Sequence, residues 1–269
     1  MAAPHALITG GSSGIGRALA LRLAADGWNL SLLARGRTRL EDAAAEIGRR
    51  RARPDQRVLI FPADVADAAA AELAVAGAIA ALGPPELVIT SAGIAAAGRF
   101  GDVPPDLFAR AIEVNYLGSV HVARAVLPAM RAARRGRVVF LSSAAGLLGL
   151  YGYTAYAPTK FALRGLAESL RAELKPDKVA VSIVYPPDTD TPQLGEENKT
   201  KPEETKRMTG AADIWSADAV AQSILRSIAR GAFAITPGWK ITLLYRFPGI
   251  LGPALAWYFD RIVARMARR

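Results

Sequence analysis

The chain has 269 residues, 51% of them hydrophobic and 22% charged, so it can bury a full core as one large α/β domain or two small ones, and a disordered protein is excluded. It has no cysteine and two histidines, which excludes disulfides, thiolate nucleophiles and zinc–thiolate sites, and no metal is expected. The net charge of +10 suits a solubilising basic surface, an anionic membrane or an acidic ligand; no zinc-finger or aromatic-interleaved RNA motif occurs, so nucleic acid is not an expected partner.

The first nine residues lack a charged leader and a long apolar run, so no secretory signal is expected. With the absence of cysteine, this points to a cytoplasmic location. An apolar strand over 6–9 runs into Thr9-Gly10-Gly11-Ser12-Ser13-Gly14-Ile15-Gly16 and then a helical pattern over 15–25. Glycines at a strand-to-helix turn let the backbone approach a pyrophosphate, and the helix start offers unpaired N–H groups and a partial positive charge. Gly10, Ser12, Ser13, Gly14, Ile15 and Gly16 are therefore candidate phosphate contacts. The same residues spell the G-x-S-x-G of a hydrolase elbow, but that reading needs a late histidine and the last is His121.

A second strand over 30–34 ends in Leu33-Ala34-Arg35-Gly36-Arg37-Thr38-Arg39. An acidic residue there would bind the ribose hydroxyls of NAD; an arginine suits the 2′-phosphate of NADPH through forked, charge-assisted hydrogen bonds. Arg35 is the prime candidate. Arg39 joins the set, although it and Arg37 also read as decoration of the helix over 37–50. Past a third strand (58–61), Asp64, with Val65 beside it, is placed to accept from an adenine amine. Asp64 alternatively caps the helix over 68–81, a role that suits Asp67 better.

The fourth strand (87–90) leads to Thr90-Ser91-Ala92-Gly93, with Ala92 and Gly93 candidate cofactor contacts, and a long helical stretch over 109–134 carries Asn115. Asn115 also reads as an ordinary cap or backbone partner. A fifth strand (138–142) ends at Ser142-Ser143, and a helix over 155–175 begins with Tyr156 and Lys160, four residues apart and on one face. A phenol titrates near 10. An ammonium about 5 Å away at an effective dielectric near 20 favours the phenolate by roughly 3 kcal/mol, about two pKa units. Ser143 can hydrogen-bond a substrate oxygen as charge develops on it, or simply close the strand. A sixth strand covers 179–185. Strands apolar at consecutive positions and alternating with helices predict a doubly wound parallel sheet of Rossmann type, in a single domain with helices on both faces.

The glycine turn, Asn115, Ser143 and Tyr156-Ala157-Pro158-Thr159-Lys160 together resemble the classical short-chain dehydrogenases/reductases. The resemblance spans residues 6 to about 235 and implies a catalytic tetrad of Asn115, Ser143, Tyr156 and Lys160. In that family the tyrosine and lysine also contact the nicotinamide half of the cofactor, and the asparagine holds a water in the proton relay. Family members usually end the fourth strand Asn-Asn-Ala-Gly, so the bracing supplied by those asparagines is in question here.

Residues 186–210 are polar and proline-containing, and read as a lid or binding loop. Pro186, Thr189 and Thr191 at its start are further candidate cofactor contacts. The runs Pro186-Pro187-Asp188-Thr189-Asp190-Thr191-Pro192 and Glu196-Glu197-Asn198-Lys199-Thr200-Lys201-Pro202-Glu203-Glu204-Thr205 resemble the 3-ketodihydrosphingosine (3-dehydrosphinganine) reductase branch of the family. That resemblance implies NADPH-dependent reduction of a long-chain ketone in sphingolipid synthesis; another apolar ketone, such as a 3-oxoacyl ester or a steroid-like compound, and a non-catalytic NADPH-binding scaffold are the alternatives. Carboxylates at Asp188, Asp190, Glu196 or Glu197 would neutralise the ammonium of such a substrate. Residues 1–240 then form the reductase domain and 241–269 a tail. The tail combines Tyr245, Phe247, Trp257, Tyr258 and Phe259 with Arg246, Arg261, Arg265, Arg268 and Arg269, which suits the surface of a membrane at its cytoplasmic face; a helix closing the substrate pocket or making a dimer contact is the alternative. The family resemblance implies a homodimer or homotetramer.

Overall fold

In a computed structural model, which describes residues 3–210 and 213–267, the apolar runs form parallel strands: β1 (His5–Thr9), β2 (Asn29–Ala34), β3 (Val58–Pro62), β4 (Leu87–Thr90), β5 (Arg137–Leu141) and β6 (Ala180–Val184). Short strands follow: β7 (Thr189–Asp190), β8 (Trp215–Ser216) and β9 (Ala234–Ile235). The main sheet has the order β3-β2-β1-β4-β5-β6-β9, all parallel, and β7 pairs with β8 apart from it.

The period-two geometry of each strand decides which layer it packs. Leu7, Val88, Val138 and Phe140 point to one face, beneath α3 (Ala68–Leu82), α5 (Gly118–Ala133) and α6 (Ala157–Glu173). Ala6, Ile8, Ile89 and Val139 point to the other, beneath α1 (Gly14–Ala25), α2 (Arg37–Gly48) and α9 (Ala217–Ala229). Leu7, Ile8 and Phe140 are wholly enclosed. Each such side chain contributes about 1.5–3 kcal/mol through burial. Strands buried on both faces need continuous apolar runs, which is why they are readable in the sequence.

The stretch expected as one helix over 109–134 is three segments: α4 (Pro105–Ala111), a π-helical stretch Ile112–Leu117, and α5. The widened turn falls on Asn115. The segment expected as a lid loop is largely helical, as α7 (Pro192–Thr200) and α8 (Glu203–Thr209); Thr191 caps α7 by accepting from the Leu194 N–H at 3.3 Å, with Pro192 at its first turn. Asp67 caps α3 by accepting from the Ala70 N–H, as anticipated. The tail forms α10 (Trp239–Arg246) and α11 (Pro248–Met266), and among the described residues no helix is long and apolar enough to cross a membrane. Arg268 and Arg269 lie outside the described residues.

Candidate active site

The order of the sheet reverses between β1 and β4, and a crevice opens there at the carboxyl ends of the strands, where this architecture takes ligands. A cleft of about 190 Å³ occupies it. Gly10, Ser13, Gly14 and Ile15 form one wall; Ala92 and Gly93 from the end of β4, Ser143 from the end of β5, Tyr156 and Lys160 from α6, and Pro186, Thr189 and Thr191 complete it. Ser12, Gly16, Arg35, Arg39, Asp64, Val65 and Asn115 do not line this cleft.

The glycine turn is dictated by space. Gly10 has φ +67, and a Cβ there would lie 2.9 Å from the Ala92 N and the Ser91 carbonyl; a Cβ on Gly16 would lie 2.5 Å from the Gly10 carbonyl. Only backbone fits between β1 and β4, so the start of α1 presents its unpaired N–H groups to the cleft. The turn is tied down by the Gly10 N–H donating to the Leu33 carbonyl at 2.7 Å. The bracing in question at Thr90-Ser91 comes from hydroxyls instead: the Thr9 hydroxyl accepts from the Ala92 N–H at 3.0 Å, and Thr90 donates to the Val139 carbonyl at 3.5 Å. The cradle and its donors fit a dinucleotide.

Arg35 stands exposed at the end of β2, and its charge lowers the Asp64 carboxyl, so the two are electrostatic neighbours. Asp64 is not free to serve as an adenine acceptor alone. Burial pushes its carboxyl up, but the Arg110 guanidinium at 2.6 Å and the Ala66 N–H outweigh that and hold it below the usual range. Arg39 is exposed on α2.

Tyr156 and Lys160 are both buried, with the lysine ammonium 5.4 Å from the phenol ring centroid. The distance is the one expected, but the electrostatic consequence is reversed. Burial pushes the Tyr156 phenol well above its ordinary value, the Glu197 and Asp188 carboxylates push it the same way, and hydrogen bonds with Ser143 and Gln193 only partly offset this. Desolvation of the charged form outweighs the attraction of one ammonium, and the same burial lowers Lys160 to about 8. Its ammonium donates to the Leu141 carbonyl at 3.0 Å, and Ser142 donates to the Lys160 carbonyl at 2.9 Å, which fixes α6 against the end of β5.

Asn115 is fully enclosed, and its carboxamide is committed: Oδ1 accepts from the Ile94 N–H, and Nδ2 donates to the Ile94 carbonyl and to the Thr159 hydroxyl. Thr159 donates in turn to the Tyr156 carbonyl at 2.7 Å. Through its carboxamide Asn115 thus braces the loop after β4 and the start of α6.

Three further side chains escaped the sequence reading. The Tyr153 hydroxyl donates to Glu197, its ring centroid 5.8 Å from that of Tyr156. Gln193 lines the cleft from α7, and buried Lys201 pairs with Glu197 at 2.9 Å. Tyr153 was signalled only by lying three residues before Tyr156; Gln193 and Lys201 sit in a polar run that reads as solvated. Of the four carboxylates expected to meet a substrate ammonium, Asp190 and Glu196 are exposed and Glu196 pairs with Lys199, so only Asp188 and Glu197 line the cleft.

A dinucleotide cradle facing a buried tyrosine–lysine pair defines a nicotinamide-dependent oxidoreductase. Comparison with known proteins agrees: a family model described as short chain dehydrogenase matches residues 4–202, and the chain belongs to that family of oxidoreductases. A 3-dehydrosphinganine reductase of Danio rerio is 43% identical over 235 residues, covering 87% of this chain and 71% of the relative. Among solved structures, levodione reductase superposes with a TM-score of 0.81 at 26% identity, covering 90% of this chain and 99% of that one. A short-chain dehydrogenase from Sphingobium yanoikuyae in complex with NADPH gives 0.78 at 26% identity, with 96% of each chain covered.

Proposed function

We propose that the chain reduces the ketone of 3-ketodihydrosphingosine to the alcohol with NADPH, the first observation in support being its 43% identity to a 3-dehydrosphinganine reductase. The observation that carries the chemistry is the burial of Tyr156 in the glycine-walled cleft, with Ser143 and Lys160 beside it. A reduced nicotinamide supplies a hydride to the carbonyl carbon when bound. Gly10, Ser13, Gly14, Ile15, Ala92, Gly93, Pro186, Thr189 and Thr191 would hold that cofactor, and Arg35 would take the 2′-phosphate, a preference supported by the lack of any acidic residue at the end of β2. Ser12, Gly16, Arg39, Asp64 and Val65 remain further candidates around it.

Tyr156 gives its proton to the substrate oxygen as charge grows there. A phenol held above its ordinary value is fully protonated at neutral pH, which is the form reduction requires, and the alkoxide it meets is more basic still. Ser143 hydrogen-bonds the same oxygen. Lys160 steadies the phenolate left behind and returns a proton to it, while Asn115 holds the loop after β4 and the start of α6 in register.

The tail is proposed to rest on the cytoplasmic face of a membrane, supported by exposed Trp239, Phe247, Ile250, Trp257 and Tyr258 beside Lys240, Arg246 and Arg261. Self-association as a dimer or tetramer through α5 and α6 is supported by exposed apolar groups at Leu117 and Phe161, and sedimentation tests it. Turnover decides the function: NADPH oxidation with 3-ketodihydrosphingosine should exceed that with a 3-oxoacyl thioester at least tenfold, and faster reduction of the thioester would overturn the assignment.

A further inference from the structure

The wall of the cleft opposite the glycine turn is charged. Asp188 and Glu197 both line it, and Lys201 lies 2.9 Å from Glu197 Oε1 and 3.9 Å from Asp188 Oδ2. Tyr153 donates to the same Glu197 oxygen. The side chains of Lys201 and Glu197 are 3% and 8% exposed, so this is not a solvated surface run. Two carboxylates share one ammonium. Lys160, which lines the cleft, donates its ammonium to the Leu141 carbonyl. Glu197 is paired closely with Lys201, whereas Asp188, its side chain 32% exposed, has that ammonium no nearer than 3.9 Å, so Asp188 is the carboxylate with charge left to offer a cation entering the cleft.

Two observations say what that cation is attached to. Both carboxylates act on the Tyr156 phenol, so they lie within electrostatic reach of the proton donated to the ketone. Glu197 also lines a second cavity, of about 720 Å³, where Ala95, Ala96, Val103, Leu107 and Met266 form an apolar part of a lining that also holds Arg99, Asp102 and Glu204. A positive group next to the reacting carbonyl, with an apolar chain leading away, matches this arrangement. We infer that Asp188 and Glu197, held in place by Lys201 and Tyr153, form a subsite for the ammonium of an amino ketone, and that Glu197 sets the preference for amine-bearing over neutral ketones.

This inference rests on the cleft being a ketone reductase site. The test uses the full chain at pH 7 with NADPH and two substrates, 3-ketodihydrosphingosine and its 2-deamino analogue, which keeps the ketone, hydroxyl and chain. Wild type should favour the amine at least tenfold in kcat/KM. Glu197→Gln and Asp188→Asn should each lower that ratio at least tenfold, chiefly through a higher KM for the amine. Asp190→Asn, at an exposed carboxylate that lines neither of these two cavities, should keep the wild-type ratio. Equal kcat/KM for both ketones in wild type overturns the subsite even if the variants misfold, as does an unchanged ratio in Glu197→Gln with a wild-type melting temperature. Turnover of neither ketone overturns the reductase assignment instead.

Discussion

Tyr156 and Lys160 show why a motif fixes position but not proton affinity. The spacing puts an ammonium 5.4 Å from the phenol ring, yet burial raises the phenol and lowers the ammonium to about 8. A consequence follows for the pH dependence of reduction. Lys160 is charged below about 8 and loses its proton above it. The phenolate then has neither its counter-charge nor its proton supply, so kcat/KM should be flat below that value and fall about tenfold per pH unit above it. Lys160→Arg, which does not titrate in this range, should abolish that alkaline limb in the activity that remains. Tyr156→Phe removes the proton donor and should lower NADPH oxidation by about 10²–10⁴-fold, the usual worth of a positioned acid, as read by steady-state absorbance. At the far end of the crevice, Arg35→Ala should lower kcat/KM for NADPH by roughly tenfold or more while NADH is little affected, because a charge-assisted hydrogen bond is worth about 1.5–3 kcal/mol; equal losses with both cofactors would remove Arg35 from the 2′-phosphate site.

Elements were legible where one physical demand dominated. Strands β1, β2, β4, β5 and β6 are enclosed on both faces, so their residues are largely apolar in succession; the edge strand β3 is only half-buried but keeps an apolar run, and the observed bounds of all six fall within two residues of the expected ones. The short β9 escaped because two residues carry no periodicity, and α9 because its face of Val220, Ala221 and Ile224 follows a segment dominated by charge. The helices within residues 186–210 escaped for a related reason. Helices α7 and α8 are rich in charge, and their fold depends on contacts invisible to composition: Glu197 with Tyr153 and Lys201, and Glu204 with Arg99 at 2.8 Å. The π-helical turn at Asn115 is a tertiary effect, set by partners at Ile94 and Thr159. The β1–α1 turn, by contrast, is readable from glycine alone because a side chain would collide with the loop after β4. Gly10→Ala should accordingly cost about 1–3 kcal/mol, from positive-φ strain and from the contacts at 2.9 Å with backbone that cannot yield. Calorimetry should show a lower Tm, and fluorescence titration a weaker hold on NADPH.

At the scale of the molecule the question is where a basic protein with an apolar chain to reduce carries out its work. The sheet and its two helical layers account for the core, but α11 buries no residue. The tail is not simply detached, since Ile241, Leu244 and Tyr245 pack on the core and Met266 lines the second cavity beside the lid. Pocket closure and the proposed membrane contact are therefore compatible uses of one tail, with the inner residues available to the first and the outer ones to the second. Deleting the tail would confound the two, so point changes on the outer face are the cleaner probe. Four cations, Lys240, Arg246, Arg261 and Arg265, stand among exposed aromatics, with the Arg261 guanidinium 4.8 Å from the Trp257 ring centroid. Basic residues near an anionic surface contribute about 1 kcal/mol each, so the tail should hold the protein on phosphatidylserine vesicles and release it as salt is raised toward 1 M. Replacing Phe247, Ile250 and Trp257 together by serine should lower the bound fraction at least tenfold in co-sedimentation while leaving the melting temperature within a few degrees, because all three are exposed. Binding that ignores both lipid charge and those three substitutions would sink the membrane assignment and leave closure of the second cavity as the tail's role.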